Sequence, residues 1–169
     1  MILYVGAAVA LTILMVLVSM SLSHRTLLDP DVERDLTARL QNLSAASRGK
    51  WGRMSVSQML RHLAAALRMS TGDLEVPPRH GLLRRFPIKQ LIVFILPFPK
   101  DAPTSPALLS TESLDFEAER STVRDLLCSF AKRNVAKWPD HPAFGALSRD
   151  EWGILVWKHV DHHLRQFGV

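Results

Sequence analysis

The chain has 169 residues, 47% of them hydrophobic and 22% charged, with a formal net charge of +5 at pH 7. That is room for one ordinary domain. It excludes a disordered tail, a collagen-like chain and a disulfide-stapled mini-protein, the last because Cys128 is the only cysteine. The averages conceal a division. Residues 1–23 contain no Lys, Arg, Asp, Glu or His, so about 25% of the remainder is charged, the usual soluble fraction.

Residues 1–23 read MILYVGAAVALTILMVLVSMSLS. About 20 apolar residues at roughly 1.5 Å rise each span a bilayer core. A signal peptide needs a basic segment ahead of a shorter apolar run, and here no basic side chain precedes it. A start at Met20, which would leave the leader unused, is the plain alternative. The composition favours a transmembrane anchor. Arg25, Arg34 and Arg39 follow the run and no Lys or Arg precedes it, so the positive-inside rule places the domain in the cytoplasm. The expectation is a single-pass inner-membrane protein: an anchor at 1–23 and one domain at 24–169.

The domain reads as all-α. No segment alternates with period two between hairpin signals. A first helix is expected over about 31–47, after Pro30, with Val32, Leu36, Leu40 and Leu43 forming one apolar stripe. A second runs over about 56–70, with Ser55 and Gln58 as a capping box and Gly72 as a stop. A third follows Ser113 over about 115–137, carrying Phe116, Val123, Leu126, Leu127 and Phe130. A fourth spans about 149–167, with Ser148 and Glu151 as a capping box and Gly168 beyond it. Between the second and third, residues 91–96 are apolar but too short to cross a membrane. Pro97, Pro99, Pro103 and Pro106 then predict an extended, non-helical loop. Four helices with one long crossover suggest a helix bundle.

The last helix carries the chemistry. At 100° per residue, His159 and His163 both fall within about 20° of Trp152, in the middle of the apolar face. Two imidazoles at i and i+4 project the same way and can share one metal ion. Two buried rings without partners are costly, and an ion relieves that only if another helix adds a ligand. His62, beside Ala65 and Ala66 on the second helix, is the candidate. One histidine on an apolar face is usually a hydrogen-bonded core residue; a pair one turn apart is less easily explained so. Asp161 falls on the opposite face. His162 reads as a surface residue or a partner to the ligands. His141 in WPDHPAFG reads as part of a turn set by Pro139 and Pro142. Trp152 and Trp157 read as packing, and Ser55 and Gln58 as caps. Glu-x-x-His, His-Glu-x-x-His, Cys-x-x-Cys-His and Gly-rich phosphate-loop motifs are absent.

With WGRMSVSQMLRHL at 51–63, FPKDAPTSP at 98–106, WPDHPAFGALSRDEWG at 138–153 and KHVDHHLRQFG at 158–168, the chain resembles the DinB/YfiT-like metalloenzyme superfamily, nearest a DinB-like branch of unknown function. The resemblance covers about residues 24–169 and leaves the leader outside. It implies an up-down-down-up four-helix bundle with a three-histidine metal site, carried here by His62, His159 and His163. A divalent transition metal is expected there, zinc or nickel first, though three imidazoles also suit iron and copper; the resemblance implies chemistry on a small molecule, either transfer of a low-molecular-weight thiol or isomerisation of a small acid with a thiol cofactor.

Three protein ligands leave open positions, as in catalytic zinc sites. A thiol or water bound there would be activated as a nucleophile near neutral pH. The expected activity is that of a metal-dependent transferase or hydrolase. The competing expectation is a non-catalytic, membrane-anchored helical interaction module. It is motivated by Arg84, Arg85, Lys89 and Lys100 interleaved with Phe86, Phe94 and Phe98, a mixture suited to anionic lipid or a partner protein. A short helix packed over the bundle explains the same stretch more simply. Nucleic acid is not an expected partner, because the modest positive charge is scattered and no recognition motif appears. A homodimer is compatible with the pattern.

Overall fold

The computed structural model describes residues 24–100, 102, 104–109 and 114–169. Among these residues the secondary structure is helical, with one isolated antiparallel bridge between His141 and Gly145. Helix α1 is Pro30–Gln41, α2 is Val56–Thr71, α3 is the short Ile88–Gln90, α4 is Phe116–Phe130 and α5 is Arg149–Gln166.

Local chemistry sets most of these boundaries. The Asp29 carboxylate accepts from Asp31 N at 2.8 Å, and Pro30 occupies the first turn of α1, where its missing N–H is no loss. Ser55 and Gln58 exchange both bonds of a capping box, at 3.2 and 2.9 Å, and start α2. The helix stops at Gly72, whose φ of +83° is the left-handed conformation a glycine takes without strain. Ser148 and Glu151 repeat the box at the start of α5.

α2 is the centre of the fold. It packs along α4 and also meets α5, while α1 touches α4 and α5. Leu36, Leu40, Met59, Leu60, Leu63, Leu67, Val123, Leu127, Phe130, Trp152 and Leu164 close the core. Burying each such side chain contributes roughly 1.5–3 kcal/mol. Two ion pairs bind helices together at the edge of this core. Arg61 of α2 meets the buried Glu119 of α4 at 2.9 Å. Arg39 of α1 meets Asp161 of α5 at 2.9 Å and also donates to Val169 O at 3.1 Å. Asp161 therefore faces away from the histidines, as the helical wheel predicts.

Gly153 lets the entering chain cross α5. Leu27 N donates to Gly153 O at 3.0 Å, and a Cβ on Gly153 would sit 2.3 Å from Thr26 Oγ1.

Several expectations need correction. The described residues form five α-helices rather than the four of an up-down-down-up bundle, because residues 88–90 fold as α3 and run on into a π turn, Leu91–Ile95. No helix among the described residues is long and apolar enough to cross a membrane. That overturns the fold of a bundle preceded by a membrane-spanning helix, and with it the single-pass inner-membrane placement. The anchor itself was placed on residues 1–23, which lie outside the described residues. α1 ends at Gln41 and α4 at Phe130, both earlier than expected. In α4 the reason is Trp138, which folds back to place its ring 5.5 Å from Phe130 and needs a chain reversal at residues 131–137. Asp115 caps α4, accepting from Ala118 N at 2.7 Å; Ser113 lies outside the described residues. The proline-rich loop is not wholly extended, since Pro106–Leu108 forms a 3-10 turn.

Candidate metal centre

The packing of α2 against α5 brings His62, His159 and His163 together. Their ring centroids are 4.9–5.0 Å apart, and one nitrogen from each lies within 4.8 Å of the other two. His62 Nε2 is 2.9 Å from His159 Nε2, which is 3.1 Å from His163 Nε2. Three nitrogens at tetrahedral positions about 2.0–2.1 Å from one zinc ion would stand roughly 3.3 Å apart. Two sides of the triangle, at 2.9 and 3.1 Å, are within a few tenths of an ångström of that spacing, and the third is no longer than 4.8 Å, so the three could hold one metal ion.

The outer nitrogens determine what the inner ones offer. His62 Nδ1 lies 3.0 Å from Leu108 O, an acceptor only, so Nδ1 carries the proton and Nε2 the lone pair. His163 Nδ1 lies 2.7 Å from Gln166 Oε1. The amide orientation is fixed in turn, because Gln166 Nε2 donates to Trp51 O at 2.7 Å. His163 Nε2 therefore also presents a lone pair inward. His159 Nε2 stands between them and, as a neutral ring, can donate to only one. Without a cation, at least one close contact sets lone pair against lone pair. The donor set fits a metal ion, with oxygen acceptors orienting two of the three rings as in known histidine–metal sites.

Electrostatics agree. Burial holds His62 below its ordinary imidazole value despite the Leu108 carbonyl. Burial, followed by the neighbouring His163 and His62, holds His159 well below it. Burial and then His62 hold His163 down to about 3. All three are neutral at pH 7, the state a metal needs.

The Lys158 ammonium donates to Ile92 O, Val93 O and Leu96 O at 2.5, 3.0 and 2.7 Å, closing the end of the π turn. Burial lowers it to about 8. This clamp seats Phe98 with its ring 5.8 Å from His159 and 6.2 Å from His162. Trp51 meets His162 edge-on at 5.7 Å and lies under the Lys100 ammonium at 4.7 Å. His162 is thus half-buried on the wall of the site rather than a plain surface residue. A cavity of about 930 Å³ opens beside the histidines and reaches Leu67, Phe144 and Trp152. That is within the roughly 300–1,000 Å³ of pockets that hold drug-sized ligands.

The model of a family described as proteins of unknown function, DUF1569, matches residues 20–168. The chain belongs to DUF1569. No curated protein and no solved structure matches it. In this DUF1569 chain the three singled-out histidines come together, and His141 does not join them. The His141 Nδ1 accepts from Ala143 N and Phe144 N at 3.0 and 3.2 Å, and the ring stacks on Phe144. It closes the turn expected of it while its ring borders the cavity. Sequence reasoning missed Gln166, Leu108, Trp51 and Phe98. Gln166 had a signal, since position i+3 from His163 shares its helix face. A backbone carbonyl such as that of Leu108 leaves none.

Proposed function

We propose that His62, His159 and His163 bind one divalent transition metal ion, with zinc or nickel the first to try, and that the protein is a metal-dependent transferase or hydrolase of a small molecule. The observation that carries this is the pair of Nδ1 hydrogen bonds, from His62 to Leu108 O and from His163 to Gln166 Oε1, which leave a lone pair on each Nε2, both of them about 3 Å from His159 Nε2. The resemblance to DinB/YfiT-like metalloenzymes supports the same reading and makes a low-molecular-weight thiol the first substrate class to try. A bound metal would supply Lewis acidity, making a thiol or water nucleophilic near neutral pH. The chain's own part is positioning: Gln166 and Leu108 orient the rings, Trp51 and Phe98 wall the open side, and the cavity admits the substrate. The test is metal content in the purified full chain and in His159→Ala. One ion per chain in the first and none in the second supports the proposal.

A second reading, a non-catalytic interaction module, is favoured by one observation. Leu82 and Phe86 are both 63% exposed, and Leu83, Ile95 and Leu96 are exposed beside them. Retained metal binding with an open, ligand-accepting cavity argues for the enzyme. Metal-free protein from every preparation argues for the module.

A further inference from the structure

The cavity has a charge pattern that the metal reading does not use. Its walls are mainly apolar, with Leu67, Met69, Val76, Phe144 and Val156 among them. Among its described lining residues the only fixed charges are two guanidiniums, Arg53 and Arg79, and none is a carboxylate. Arg53 lies two residues after Trp51 in the loop ahead of α2. Arg79 lies in the loop after α2, whose backbone is tied down by Arg79 N donating to Pro142 O at 2.8 Å. Both side chains are exposed, which puts them at the mouth. Arg39 and Arg61 are neutralised by Asp161 and Glu119, and neither mouth arginine has such a counterpart among the described residues. A low-dielectric cleft lined by one sign of charge focuses its field and concentrates ligands of the opposite sign.

We propose that the cavity binds an organic anion with an apolar body, its negative charge compensated at the mouth by Arg53 and Arg79. This rests on the reading of the cavity as the substrate site of the three-histidine centre, and it narrows the substrate to aryl or alkyl carboxylates and their isosteres. The apolar walls take the hydrocarbon. The guanidiniums select the carboxylate over a neutral or cationic group of the same shape.

The test compares three probes of one shape by calorimetric titration of the full chain: 4-phenylbutanoate, 4-phenylbutan-1-ol and 4-phenylbutylamine. Each is titrated with zinc present and again after chelation. The chelated protein isolates the anion preference from the metal, so loss of metal binding with the preference intact sinks only the metal reading. The expected result is an acid bound at least about fivefold tighter than the alcohol, with the amine weakest, a gap that narrows in high salt. In the Arg53→Gln, Arg79→Gln double variant, acid and alcohol should bind alike while alcohol affinity stays within about twofold of the parent. Both positions are exposed, so folding is checked simply by an unchanged circular dichroism spectrum. Equal affinity for acid and alcohol in the parent, tighter binding of the amine, binding of none of the three, or a preference that survives in the double variant would each overturn the proposal.

Discussion

Replacing Gln166 separates a structural role from a metal-positioning one. The side chain is 3% exposed and makes two bonds of 2.7 Å, accepting from His163 Nδ1 and donating to Trp51 O. Gln166→Met keeps volume and apolar packing but removes both. Two net hydrogen bonds contribute about 1–3 kcal/mol together, and leaving partly buried partners unsatisfied adds to that, so the metal-free variant should lose about 2–4 kcal/mol. With its Nδ1 acceptor gone, His163 no longer holds one tautomer or one ring angle. Zinc affinity should fall roughly 10–100-fold. Gln166→Glu distinguishes the effects. A carboxylate still accepts from His163 Nδ1 and makes the imidazole a better ligand, but it has no N–H for Trp51 O. It should lose stability and keep or raise zinc affinity. The assays are urea denaturation of chelated protein and zinc competition against a chelating dye. Zinc affinity unchanged in Gln166→Met alongside the stability loss would refute the positioning argument and leave Gln166 a plain core residue.

Further outcomes follow from the same geometry. Burial holds His141 near 4 rather than its ordinary 6.5, so the folded chain keeps it neutral where the unfolded chain binds a proton. Its contribution is present above about pH 6.5 and is lost as pH falls toward 4, by up to about 3 kcal/mol. Urea midpoints from pH 7.5 to 4.5 should fall more steeply for the parent than for His141→Ala, and parallel profiles would show the ring is not buried neutral. Gly153→Ala sets a Cβ 2.3 Å from Thr26 Oγ1 and 2.9 Å from Leu28 Cγ. The overpacking, about 1–3 kcal/mol, should outweigh the gain of about 1 kcal/mol in helix propensity, so a higher melting temperature contradicts the crossing at residues 26–28. Arg61→Met leaves Glu119 buried without its cation, and a loss of about 1–3 kcal/mol is expected. Restoration by the double change Arg61→Met, Glu119→Met would confirm the coupling, and no loss in the single variant would deny it.

The parts of the site legible beforehand are those written in helical geometry. His159 and His163 could be placed on one face because α5 is regular over five turns, and its start is marked by Ser148 and Glu151. Ser55, Gln58 and Gly72 fixed α2 and thereby the height of His62. The rest depends on where irregular chain passes. Leu108 reaches His62 only because Pro106–Leu108 makes a turn that four nearby prolines do not predict. Phe98 becomes a wall of the site because the Lys158 ammonium closes the π turn that precedes it. The early end of α4 was hidden because its apolar period continues in composition while Trp138 reverses the chain. Composition alone predicts a membrane span at residues 1–23, outside the described residues, and no described helix is long and apolar enough to cross a membrane.

The central claim is that three histidines hold one ion, and metal analysis tests it most directly. The full chain, incubated with excess zinc and passed through gel filtration, should retain one zinc per chain. His159→Ala and His62→Ala, if still helical by circular dichroism, should retain none. Equal, near-zero zinc in the parent and both variants would contradict the account and leave the histidine cluster a hydrogen-bonded feature of the core.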